Sequence, residues 1–159
     1  MKKQEIDQDE FKDISLKVFN DSVPLRGDKK KAQLIGVKVN ENNEITCDVI
    51  GENGDVYDLI SNIKNNSNAI LKLGDYKLVS ILTGGWAAPV TDDENNDLPP
   101  SQHPERKRVL VSIIGYSVNQ VSSVMSFDGE DEEQMYDYNQ GQGALREAFD
   151  ELLTELNWV

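Results

Sequence analysis

Arg108-Val109-Leu110-Val111-Ser112-Ile113-Ile114-Gly115-Tyr116, the turn Ser117-Val118-Asn119-Gln120, and Val121-Ser122-Ser123-Val124-Met125-Ser126-Phe127 together decide the fold class. Two runs rich in β-branched residues flank a short polar turn, and the first is nearly continuous in apolar residues. That is the pattern of central strands in a sheet. Upstream, Tyr76 to Thr83 reads as another such strand, and Ala69 to Leu73 as a strand leading into it through a tight turn at Gly74-Asp75. Ile35-Val37-Val39 and Ile45-Cys47-Val49 alternate with other residues across Asn40-Glu41-Asn42-Asn43, whose turn chemistry makes them a hairpin.

Helices frame these strands. Phe11, Ile14, Val18 and Phe19 recur at helical spacing from Asp9 to Asp21, and Pro24 with Gly27 closes that segment. Asp55 can cap a short helix carrying Val56, Leu59, Ile60 and Ile63, which ends at Asn65-Asn66-Ser67-Asn68. Leu145, Ala148, Phe149, Leu152, Leu153 and Leu156 define an amphipathic closing helix, entered through the hinge Gly141-Gln142-Gly143. The expected order is αββαββββα. Strands joined by short turns make a mainly antiparallel sheet, so the expectation is one α+β domain over residues 1–159, its first eight residues without fixed structure.

The net charge of −13 narrows the function classes. Residues 109–159 hold ten acids against the single base Arg146, a net −9, leaving −4 for the first 108 residues. Such a field repels duplex phosphate, so direct nucleic-acid binding is not expected. The two basic clusters, Arg26 with Lys29-Lys30-Lys31 and Arg106-Lys107-Arg108, have no aromatic residues interleaved to stack bases. A single cysteine, Cys47, excludes an internal disulfide. The N-terminal residues lack the apolar run of a signal peptide, and no apolar stretch nears the roughly 18 residues of a membrane span. The expected location is the cytoplasm, that of the host if the source is viral.

Unusual chemistry is concentrated between the strands ending at Thr83 and beginning at Arg108. Gly84-Gly85-Trp86-Ala87-Ala88-Pro89, an acidic tip from Thr91 to Asp97, Pro99-Pro100-Ser101-Gln102-His103-Pro104 and Arg106-Lys107-Arg108 hold the only His, one of the two Trp and four of the five Pro. A loop this long in a small domain is usually functional or disordered. Paired glycines at a strand end permit positive φ, and the prolines limit the loop's entropy. Trp86, Ser101, His103, Arg106 and Arg108 are the candidate ligand- or partner-binding residues.

His103 is the one candidate catalytic residue, because neutral imidazole is the usual base near pH 7. Its sequence context supplies no clear partner: Ser101 lies two residues away, Cys47 belongs to the core face of the hairpin, and the acids are too many to single one out. A turn residue bonding the backbone is the simpler reading. One His and one Cys cannot hold zinc, and Asp128 to Asp137 lacks the spacing of a calcium loop, so it reads as a solvated acidic loop and no metal or cofactor is expected.

Gly85-Trp86-x-x-Pro89, the acidic tip, Pro100-Ser101-x-His103-Pro104-x-Arg106-x-Arg108-Val109 and Gly143-x-Leu145-x-x-Ala148 resemble a group of small actinobacterial and phage proteins without an established activity. The resemblance covers roughly the second half of the chain and implies no function. The leading expectation is therefore an acidic, non-enzymatic domain that binds a protein or small ligand through the Trp86–Arg108 loop. The alternatives are a small hydrolase using His103 with Ser101 or an acid, and an acidic decoy of a nucleic-acid-binding protein. A binder would expose Trp86 and the arginines; a hydrolase would seat His103 in a pocket beside a hydrogen-bonded partner.

Overall fold

A computed structural model describes residues 5–25, 31–87, 97–127, 134–139 and 143–159. Six strands, β1 (Ala32–Val39), β2 (Ile45–Asn53), β3 (Leu78–Ala87), β4 (Lys107–Ser117), β5 (Gln120–Phe127) and β6 (Gln134–Tyr138), form one sheet in the order β2-β1-β3-β4-β5-β6. Every neighbouring pair is antiparallel. Helices α1 (Gln8–Ser22), α2 (Val56–Lys64), α3 (Ser67–Leu73) and α4 (Ala144–Glu155) cover it, making an α+β fold. Among the described residues no helix is long and apolar enough to cross a membrane.

Local chemistry explains each joint. The β1–β2 turn is held by Asn40, whose side-chain oxygen accepts from the N–H groups of Asn42 and Glu44, while Asn43 takes φ of 60°. Asp55 caps α2 by accepting from Tyr57 and Asp58. The α2–α3 connection carries the chain past β1, so β3 pairs on the side of β1 away from β2. From β3 onward the strands form a simple meander.

Alternation along the strands assigns each side chain to one of two layers. One face receives Phe11, Ile14, Val18 and Phe19 of α1 against Ile35, Val37, Leu78, Leu82, Ile114 and Val124. The opposite face receives α2, α3 and α4 through Leu59, Ile60, Ile63, Leu73, Phe149, Leu152 and Leu153, against Leu34, Val79, Ile81, Ile113 and Val121. Close approach is built in at Gly36, where a Cβ would lie 2.7 Å from the Tyr76 ring. Tyr76 crosses the strand there and donates to Asp48 on β2 at 2.9 Å. Arg146 ties α4 to the sheet by donating to the Val118 carbonyl and the Asn139 side chain, and it pairs with Asp150 at 2.9 Å.

Three expectations need correction. Ala69 to Leu73 is helical, not a strand: the Asn66 side chain accepts from Asn68 and Ala69, so the polar run that ends α2 also caps α3. Its apolar residues follow a helical face, with Leu73 fully buried and Leu71 78% exposed. An unexpected strand, β6 at Gln134–Tyr138, overlaps the segment Asp128 to Asp137 read as a solvated acidic loop; residues 128–133 of that segment lie outside the described residues. Finally, fixed structure begins before residue 9: Ile6 is buried, and its N–H and C=O both bond to the Tyr116 hydroxyl.

Candidate binding site

The five candidate residues lie where β3 and β4 extend to one end of the sheet. Gly84 and Gly85 do not turn the chain. Both continue β3, and Gly143 is the only glycine with positive φ among the described residues. Strand pairing therefore runs to Ala87, and Trp86 stands directly opposite Arg108. Pro89 and residues 91–96 of the acidic tip lie outside the described residues. The chain is described again from Asp97, makes a 3-10 turn at Pro100–Gln102, and reaches His103.

His103 is only 2% exposed. Its Nδ1 accepts the N–H of Glu105 at 3.0 Å, and an accepting Nδ1 carries no proton, so the ring N–H sits on Nε2. That nitrogen is buried and without a hydrogen-bond partner among the described residues. The His103 carbonyl accepts twice from Arg106, from the backbone N–H at 3.2 Å and from a guanidinium N–H at 3.1 Å. Ring and carbonyl together shape a tight turn that fixes the next basic side chain.

The consequence appears at Trp86. The Arg106 guanidinium carbon lies 5.0 Å from the indole ring centre and that of Arg108 lies 5.1 Å away, both within cation–π range. Trp86 remains 38% exposed, and both arginines are exposed. Lys107, which alternates to the other face, lies 5.8 Å from the ring centre of Phe127 on β5. The basic triplet has no aromatic residue interleaved in its sequence, but it has aromatic partners in space. The partners are distant in sequence and are delivered by the β3–β4 and β4–β5 registers.

The structure brings Trp86, His103, Arg106 and Arg108 together. Ser101 is exposed in the 3-10 turn, and among the described residues no hydrogen bond joins it to the His103 ring. Cys47 stands on β2, half-buried. Burial is the main cause that raises its thiol pKa, Asp21 and Asp48 add to it, and the Ser22 hydroxyl offsets part. A thiol held protonated is a poor nucleophile. Among the described residues no group of three or more His, Cys, Asp or Glu is placed to hold a metal ion.

Comparison with protein families, with curated proteins and with solved structures finds no match to this chain.

Proposed function

We propose that this chain is a non-enzymatic binding domain whose contact surface is Trp86 with Arg106 and Arg108, and that it takes a protein or small ligand there. One observation carries the reading: a partly exposed indole with two guanidinium groups ranged about it, at the end of the sheet. Indole and guanidinium are the side chains that most often dominate binding energy, since both combine large apolar area with directed donors. Stacking also removes part of the arginines' rotamer freedom before any partner arrives.

The hydrolase alternative is the weaker reading. A general base needs a reacting proton within reach, whereas the His103 ring spends Nδ1 on a backbone N–H and buries Nε2. The decoy alternative is weakened because two acids of α4 are already engaged, Asp150 with Arg146 and Glu151 with Lys64. The reading further places the domain in the cytoplasm and keeps the kinship with small actinobacterial and phage proteins as a proposal on sequence pattern alone.

NMR separates these readings, because the two indole N–H signals, Trp86 and buried Trp158, can be assigned with a Trp86→Phe variant. A panel of short peptides and small-molecule fragments should perturb Trp86, Arg106 and Arg108 together. Perturbations that collect elsewhere while leaving Trp86 unmoved would defeat the proposal. Hydrolysis of p-nitrophenyl esters that disappears in His103→Asn would favour the enzyme instead.

A further inference from the structure

We infer that the Trp86 surface recognises an acidic segment of a partner protein, its carboxylates held by Arg106 and Arg108; the inference rests on the proposed binding role and names the chemistry of the partner. Three observations converge. Arg106, Lys107 and Arg108 are three consecutive exposed cations in a chain of net charge −13. Neither guanidinium forms an ion pair with a carboxylate of the described residues, although three other basic side chains, Lys31, Lys64 and Arg146, do. The arginines are also preset: Arg106 is fixed by the His103 carbonyl at 3.1 Å and by the indole, and Arg108 by its place opposite Trp86.

Geometry points to carboxylates on a polypeptide. A guanidinium over an indole still presents its N–H edge, whose fork matches a carboxylate in two parallel hydrogen bonds. Since each guanidinium lies about 5 Å from one ring centre, the two are no more than about 10 Å apart. Acidic side chains two apart on an extended segment are about 7 Å apart on one face, inside that limit. The exposed indole offers apolar contact to the residue between or beside them. A single-stranded nucleic acid fits less well. Stacking bases need bare ring faces, but Arg106 and Arg108 are stacked over Trp86 and Lys107 over Phe127. A polyphosphate would also carry more charge into the field of a −13 chain. With screening over about 8 Å at physiological ionic strength, a short acidic segment feels chiefly the local cations.

The test titrates the full chain with a short peptide of alternating Glu and Val, its Gln-for-Glu counterpart, and a single-stranded oligodeoxynucleotide of similar length. NMR follows the Trp86 indole and the arginine Nε signals. The Glu peptide should shift all three saturably, weaken with added salt, and bind about tenfold more weakly to the Arg106→Ala, Arg108→Ala double variant. Arg108→Lys, which keeps the charge and loses the fork, should weaken binding as well, and a variant spectrum otherwise unchanged shows that the fold is retained. Equal binding of the Gln peptide at Trp86 would overturn the carboxylate assignment while leaving the binding role standing. Saturable binding of the oligonucleotide in preference to the Glu peptide would overturn it in favour of nucleic acid. No response at Trp86 to any probe at millimolar concentration would overturn both this inference and the role beneath it.

Discussion

His103 shows how much one side chain can do without chemistry. Its ring accepts the Glu105 N–H two residues on, an arrangement Asn reproduces with its side-chain oxygen, whereas Ala cannot. His103→Asn should therefore keep stability within about 1 kcal/mol, because it preserves the acceptor for the Glu105 N–H. His103→Ala should cost about 1–3 kcal/mol more, from the orphaned Glu105 N–H and the emptied space. Urea denaturation of the two variants checks the ranking, and an Ala variant as stable as the Asn one would remove the ring from its structural role. The importance of this residue was legible in the sequence as the lone His among prolines. Its use of Nδ1 on the backbone was only the simpler of two readings, because a ring's partners depend on a turn geometry that composition does not reveal.

At the scale of elements, α4 was read from its apolar stripe alone, and its buried face consists of the residues that the period selects. Phe149, Leu152 and Leu153 are fully buried, while Leu145 is partly buried at the edge of the same cluster. Leu152→Asp should then cost about 4 kcal/mol or more, since it removes a buried side chain and leaves a charge without a partner. Leu145→Asp should cost less, because a partly exposed carboxylate keeps some water. Chemical denaturation decides it: equal costs would mean that α4 is seated differently, and negligible costs at both would remove it from the core. Residues 69–73 were misread because a five-residue apolar run has no clear period, and the deciding signal was the Asn66 cap. β6 was hidden for a different reason. Its five residues, Gln134-Met135-Tyr136-Asp137-Tyr138, adjoin an acidic run and form an edge strand, one side of whose backbone has no strand neighbour among the described residues.

The whole molecule sets a dilute cationic patch within a strongly acidic chain. At neutral pH the charge of −13 keeps copies apart, and the sequence isoelectric point is near 4.4. Solubility should pass through a minimum close to pH 4.4, where carboxylate protonation cancels that repulsion. Light scattering across a pH series reads this directly; a minimum displaced above pH 6 would mean that local patches, and not net charge, control association. The same asymmetry explains why Arg106, Lys107 and Arg108 stand out, since nearby cations act over a Debye length while the global charge is screened beyond it.

The sequence by itself determined the α+β class, the antiparallel character of strands joined by short turns, the hairpin and the stripes of α1, α2 and α4. Each is a local pattern, a period of two or 3.6 residues bounded by turn chemistry, and needs no knowledge of distant partners. It also located the region that holds the candidate site. What the tertiary structure decided was which residues in that region meet. Trp86 reaches Arg108 through a strand register that a loop of some 20 residues leaves unset, and Phe127 reaches Lys107 only because β5 pairs with β4. The two-sided covering of the sheet was open for the same reason, since the face a helix takes depends on the path of its connections. Local patterns specify elements; only long-range pairing turns a basic triplet and a distant indole into one surface.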